Sequence, residues 1–209
     1  MIKIGLTGGI GSGKSTISNM LKKSNIPVID ADLISKTVLN KYPCIIKNIE
    51  DAFGKKFFDK NHNLKRREFG DYIFKCSDRR CKYESIIMPY IKEDILFEMD
   101  SLDKEGNKLC ILDAATLIEN NFRKYVDELI LVWINRMTQI DRVKERDNLT
   151  YDQVIIRIDS QMSLDEKKKY SNYILDNSKD LDTTKKNLKY ILEQIVIKYK
   201  GVKCPEINI

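Results

Sequence analysis

The chain has 209 residues, 42% of them hydrophobic and 33% charged, enough apolar material for a buried core and too much for a disordered chain. A net charge of +6, from 37 Lys and Arg against 31 Asp and Glu, suits an anionic ligand and equally a lysine-rich solvated surface. The longest apolar stretch, residues 129–134, falls far short of the roughly 20 residues that span a bilayer.

Residues 3–7 read as a short buried strand, followed by a glycine-rich run that opens onto helical spacing from Ser15 to Leu21. Residues 26–29 predict a second strand ending in Asp30-Ala31-Asp32, so the first 32 residues form a βαβ unit. From Leu33 to about Leu102 the patterns become long and amphipathic, residues 71–91 especially, with turn signals at Tyr42-Pro43 and residues 60–63. Sheet-like runs return at residues 109–113, 129–134 and 173–175. Between the last two, residues 137–169 are densely charged with helical spacing and a capping-box start at Thr150-Tyr151-Asp152-Gln153. A final helix is expected over residues 183–199. The fold class expected is α/β: a three-layer α/β/α P-loop NTPase fold around a central parallel five-stranded sheet. Its nucleotide-binding core would comprise residues 1–34, 103–136 and 170–209, with a helical insertion at 35–102 and a helical lid at 137–169.

Gly8-Gly9-Ile10-Gly11-Ser12-Gly13-Lys14-Ser15 matches GxxxxGK[ST] between a predicted strand and a predicted helix, where the phosphate-cradling mechanism requires it. Gly8, Gly9, Gly11, Ser12, Gly13, Lys14, Ser15 and Thr16 are therefore the candidate triphosphate-binding residues. Glycines let backbone N–H groups point at phosphate, and the helix N-terminus adds a favourable dipole. Lys14 would reach the β and γ phosphates and the Ser15 hydroxyl would ligate Mg2+ beside ATP, with Asp113 a further candidate metal ligand.

Phosphate binding alone does not name a reaction. A switch GTPase is disfavoured because Asn107-Lys108 runs into Leu109-Cys110 instead of completing a guanine-reading NKxD, and the DxxG match at Asp51-Ala52-Phe53-Gly54 lies in the helical insertion. Asp32, placed at the end of the second strand, is the candidate acceptor of a hydroxyl proton, whereas Asp30 reads as a helix cap. Arg142 and Arg146 are four apart on one helix face, and Arg157 and Gln161 share the next. Guanidinium groups on a closing lid would neutralise charge on a phosphoryl group in flight and keep water out. The five cysteines, Cys44, Cys76, Cys81, Cys110 and Cys204, are scattered without a CxxC pair, which predicts reduced thiols in a cytoplasmic protein. His62 reads as an exposed loop residue and Trp133 as core packing.

Taken together, these residues resemble the dephospho-coenzyme A kinase family. The likeness begins with the run from Gly5 to Thr16 and Ile29-Asp30-Ala31-Asp32. It continues through Arg66-Arg67-Glu68-Phe69-Gly70-Asp71-Tyr72-Ile73-Phe74, which is similar to the family's RxxLGxxVF, and Asp113 to Glu119, which is similar to its DxPLLFE. Gln139, Arg142, Arg146, Arg157, Gln161 and Lys167 match its lid pattern, and Asn177 its asparagine after the last strand. Departures are Met88-Pro89 for His-Pro, Ala115 and Thr116 for the proline and leucine of DxPLLFE, and Ser171-Asn172 for Ala-Asp.

The resemblance implies transfer of the ATP γ-phosphate to the ribose 3′-hydroxyl of dephospho-coenzyme A, with magnesium. It implies Asp32 as base, Lys14, Arg142 and Arg146 on the phosphoryl charge, Asn177 at the nucleotide, and residues 35–102 as the acceptor domain. The expected partner is this small molecule, with no nucleic acid or membrane, in a monomer or weak homo-oligomer. The competing readings are another P-loop nucleoside or nucleotide kinase, a nucleic-acid-associated ATPase supported only by the basic balance, and a non-catalytic nucleotide sensor.

Overall fold

The computed structural model describes residues 1–199, apart from the Phe74 side chain; Cys204 lies outside them. The chain forms two compact units, Met1–Asp30 with Met99 onward, and Ala31–Glu98.

In chain order the elements are β1 (Ile2–Gly8), α1 (Lys14–Lys23), β2 (Val28–Asp30), α2 (Ala31–Lys41), α3 (Pro43–Phe53), α4 (Arg66–Phe74), α5 (Ser77–Lys104), β3 (Leu109–Asp113), β4 (Glu128–Trp133), α6 (Arg136–Asp147), α7 (Tyr151–Asp159), α8 (Leu164–Lys167), β5 (Tyr173–Asp176) and α9 (Leu181–Lys198). The five strands form one parallel sheet in the order β2-β3-β1-β4-β5. Its central strands are buried along nearly their whole length, and this is why they read as unbroken apolar runs rather than alternating ones. At the edge, β5 leaves Ile174 half exposed.

One side of the sheet packs Ile2, Ile4, Leu6, Ile111, Ile130 and Val132 against Ile17 and Leu21 of α1 and Leu188, Leu192 and Ile195 of α9. Each such fully buried side chain contributes about 1.5–3 kcal/mol relative to exposure. With β1 held at the centre of the sheet and α1 packed on its face, the loop joining them is fixed at the carboxyl ends of the strands.

Two elements depart from the sequence expectation. β2 begins at Val28, two residues later than predicted, because Pro27 can accept from Ile111 N–H (2.9 Å) but has no N–H of its own to extend the ladder. The amphipathic run over residues 71–91 is split: α4 ends at Phe74 and α5 starts at Ser77-Asp78, a helix-initiating pair. The turn at residues 60–63 is present, held by the Asp59 carboxylate accepting from Asn61 and Asn63 N–H (2.8 and 2.9 Å), with His62 exposed.

The expected capping box at Thr150 is complete: Thr150 Oγ1 accepts from Gln153 N–H, and Gln153 Oε1 accepts from Thr150 N–H at 3.0 Å. Thr150→Ala is therefore expected to weaken α7 by about 1 kcal/mol. Faster amide hydrogen exchange confined to residues 151–159 would register it, with the sheet amides unchanged.

Candidate active site

The loop after β1 turns through two glycines at positive φ, Gly11 (77°) and Gly13 (87°), a region that side chains avoid. Gly13 also sits against the Asn177 amide, with which a Cβ would collide. Gly13 caps α1 without any side-chain hydrogen bond, and Thr16 N–H turns back to the Gly13 carbonyl (3.0 Å), so the helix start presents its positive dipole end to an anion with no side chain in the way. The Ser12 hydroxyl is buried and has no hydrogen-bond partner, while Ser15 and Thr16 are exposed at the first turn of α1.

Lys14 is buried and its ammonium donates to the carboxylate of Asp113 at the end of β3. Burial raises the Asp113 carboxyl above the ordinary aspartate range, and the Lys14 charge and hydrogen bond together with the Ser18 hydroxyl pull against it. Asp30, the register neighbour of Asp113 on β2, adds a second acidic group at the same strand ends.

The helical segment contacts this loop directly. Gln139 of α6 donates from Nε2 to the Ile10 carbonyl (2.9 Å), and Ile10 N–H donates to Gln161 Oε1 (3.0 Å), so two glutamines hold both backbone polar groups of one loop residue. Ile10 also packs on the small core of Ile140, Val143, Val154 and Ile158 between α6 and α7. Arg142 Nη2 donates to the Asn177 carbonyl at 3.0 Å. Arg146, by contrast, makes its hydrogen bonds inside the lid, to Asp147 (2.8 and 3.0 Å).

Three expectations need correction. Gln161 does not share a helix face with Arg157: α7 ends at Asp159, where the Ser160 hydroxyl competes for the Arg157 carbonyl (2.7 Å), and Gln161 falls in the following turn. Asp32 lies in the first turn of α2 and not on a strand; it is exposed and belongs to the helical unit. Trp133 is core packing only on one side: it is half-buried against Leu131, Ile134 and Leu164, while its Nε1–H donates to Asp165 (3.0 Å) and the Lys168 ammonium lies 3.8 Å from the ring centroid.

Asn177 is nearly buried, with its amide donating to the Ser12 carbonyl (2.8 Å) and accepting from Thr184 Oγ1 (3.1 Å), so it splints the loop. Lys167 is wholly buried and donates to the Ala115 carbonyl (2.5 Å) and toward the Gly8 carbonyl (3.5 Å), while pairing with Glu119 (2.9 Å). Burial holds its pKa below the ordinary lysine value, against the pull of Glu119. Thr7 Oγ1 also donates to the Ala115 carbonyl (3.1 Å). The sequence signalled Lys167, Thr7 and Glu119 only as members of matching patterns, without their contacts; Asp147 left no signal at all.

A glycine loop at the end of a central parallel strand, a buried lysine beside a strand-end aspartate, and a helical hairpin gripping the loop define a kinase of the P-loop class. The sequence profile of the family described as dephospho-CoA kinase matches residues 2–183. A dephospho-CoA kinase of Clostridium perfringens is 51% identical over 92% of this chain and 97% of its own length, and one of Clostridium tetani is 49% identical over 93% and 86%. A crystal structure from Thermus thermophilus, 27% identical, superposes with a TM-score of 0.77 over 93% of this chain and 97% of that one. At 23% identity, a dephospho-CoA kinase structure from Campylobacter jejuni shares the fold, with a TM-score of 0.71. The chain belongs to the dephospho-CoA kinase family, transferases of the last step of coenzyme A biosynthesis.

Among the described residues no helix is long and apolar enough to cross a membrane. The cysteines 44, 76, 81 and 110 are free thiols, and burial pushes the Cys110 thiol up to about 11, which leaves it unreactive.

Proposed function

We propose that this chain transfers the γ-phosphoryl group of ATP to the ribose 3′-hydroxyl of dephospho-coenzyme A through the residues described above. In this reading Asp32 accepts the hydroxyl proton as the acceptor oxygen bonds to the γ-phosphorus, and the bond to the β-phosphate oxygen breaks to release ADP. Gly8, Gly9, Gly11, Ser12, Gly13, Ser15 and Thr16 hold the phosphates with backbone and hydroxyl groups. Lys14, Arg142 and Arg146 compensate the charge that develops on the transferring group. Asn177 acts through the loop by bracing Ser12. Residues 35–102 would receive the acceptor and residues 137–169 would close over the nucleotide, in a cytoplasmic enzyme.

The observation that carries this reading is the loop itself: an uncapped helix start, two left-handed glycines and a buried lysine already countered by Asp113. The donor set also suits magnesium, since the Ser15 hydroxyl and the Asp113 carboxylate supply the few hard oxygens this ion takes from protein when phosphates supply others. Among the described residues no cluster of three or more acidic, histidine or cysteine groups could hold a metal alone. When bound, magnesium would offset the negative charge of the phosphates.

The test is an ADP-release assay with magnesium-ATP and a panel of acceptors. Turnover is expected with dephospho-coenzyme A and not with nucleosides or nucleotides. Asp32→Asn should lower kcat by about 10²–10⁴-fold while leaving the KM for ATP within about threefold, because the group acts on the acceptor. Tight ATP binding without turnover of dephospho-coenzyme A would refute the assignment.

A further inference from the structure

The loop, Lys14 and Arg142 account for one end of the lid, but the two remaining lid arginines converge on a residue with no assigned role. Arg146 lies in the last turn of α6 and Arg157 in the last turn of α7. Both donate to Asp147: Arg146 through Nε to Oδ1 (2.8 Å) and Nη2 to Oδ2 (3.0 Å), and Arg157 through Nη1 to the same Oδ2 (3.0 Å). The carboxylate lies beneath, its side chain 20% exposed, while Arg146 and Arg157 are 58% and 51% exposed. We propose that Asp147 is a positioning residue, a single carboxylate that holds Arg146 and Arg157 side by side as a preformed guanidinium pair for the triphosphate.

The corner that carries Asp147 is rigid. Asn148 follows in the left-handed region (φ 51°) with its N–H on the Lys144 carbonyl, and the Thr150 capping box then starts α7 at once. The two arginines come from different helices and would repel each other; a carboxylate oxygen between them removes that repulsion and fixes their angles. Arg146 uses its Nε edge for this, which directs its Nη1 group away from the carboxylate. Arg157 uses one Nη1 bond and keeps Nε and Nη2. An arginine carries about 2 kcal/mol of rotamer entropy, and restraining two of them in the resting enzyme lowers what must be lost when phosphate charge develops. The trio keeps a net positive charge, so anion attraction survives. The Asp147 carboxyl is held below the ordinary aspartate range, chiefly by its hydrogen bond with Arg146, so it stays ionised throughout the working pH range.

The opposite role, a latch that competes with phosphate for the arginines, predicts the opposite sign. The inference rests on the lid arginines acting on phosphoryl charge, and the experiment separates the two. Steady-state kcat and KM for ATP are measured at saturating dephospho-coenzyme A for Asp147→Asn, Asp147→Glu, Arg146→Ala, Arg146→Ala/Arg157→Ala and that double variant with Asp147→Asn, with thermal melts of each.

Asp147→Asn should lose about tenfold in kcat, equivalent to about 1.4 kcal/mol of barrier, with its melting temperature within about 2 °C of the parent, as for an exposed ion pair. Asp147→Glu should recover at least about a third of the parent kcat, since it keeps the bridging charge. In the Arg146→Ala/Arg157→Ala background the same Asp147→Asn change should alter kcat less than about twofold. An unchanged or faster Asp147→Asn enzyme, or a tenfold loss that persists without the two arginines, overturns the role of Asp147. A fully active Arg146→Ala enzyme overturns instead the reading of the lid arginines in the reaction.

Discussion

Lys14→Ala is expected to lower kcat by about 10³-fold, the scale of removing a charged group aimed at a transferring phosphoryl group. The expectation rests on burial: the Lys14 ammonium is shielded from water and is met by Asp113, so its interaction with a phosphate is far less screened than that of a surface lysine. Lys14→Arg should not rescue, because a planar fork replaces a compact point charge in a site shaped around Nζ. The substitution has a second readout. Lys14 supplies the largest opposition to the burial that raises the Asp113 carboxyl; with Lys14 gone, Asp113 must titrate at still higher pH. A raised carboxyl means the folded state holds a proton that the unfolded state releases, so stability is greatest below the ordinary aspartate pKa and falls as pH rises through the folded value. The variant should therefore be more acid-tolerant relative to its own neutral-pH stability than the parent, in urea midpoints taken across that range. Unchanged kcat in Lys14→Ala would remove the loop from the reaction.

Much of this architecture was legible in the chain because the relevant signals are local. The glycine run, the flanking strand and helix and the Thr150 capping box each lie within a few consecutive residues, and all are present in the structure. Pro27 shifted β2 by denying it an N–H, a consequence that only the sheet pairing reveals. Gln161 was misplaced because helical periodicity continues past a Ser160 hydroxyl that ends the helix. The contacts made by Asp147, Lys167 and Asn177 were not legible for a different reason. Each depends on what the side chain meets 7 to 165 residues away in sequence, and no spacing rule encodes that. The substitutions at 115 and 116 illustrate the same point from the other side: Ala115 is used through its carbonyl, which accepts from Thr7 and Lys167, so the contact tolerates a change of side chain.

Lys167→Met should have the largest effect on stability. The Lys167 side chain is 0% exposed, and its ammonium is shared between Glu119, the Ala115 carbonyl and the carbonyl of Gly8 at the start of the phosphate loop. Methionine fills most of the volume but leaves the Glu119 carboxylate without its counter-charge, and the Ala115 carbonyl with Thr7 Oγ1 alone as its side-chain donor. Breaking a buried pair by removing one partner costs about 3–5 kcal/mol, and the lower end applies because Glu119 keeps some access to water. At about 2–4 °C per kcal/mol for a domain of this size, the melting temperature should fall by about 6–12 °C. Removing the partner as well, in Glu119→Gln/Lys167→Met, should recover part of the loss, since no unpaired charge remains. The pH dependence follows from burial, which holds the Lys167 pKa below 10.5. Between the folded value and 10.5 the unfolded chain binds the extra proton, so this group makes stability rise with pH there and costs stability as pH falls through the folded value. Subtracting the Lys167→Met curve from the parent curve should isolate that rise, and a flat difference would mean that Lys167 titrates like an exposed lysine. Because the same ammonium holds the Gly8 carbonyl, the variant should also bind ATP more weakly at temperatures well below its melting point; full ATP affinity in a destabilised variant would confine Lys167 to the fold and free the loop from its influence.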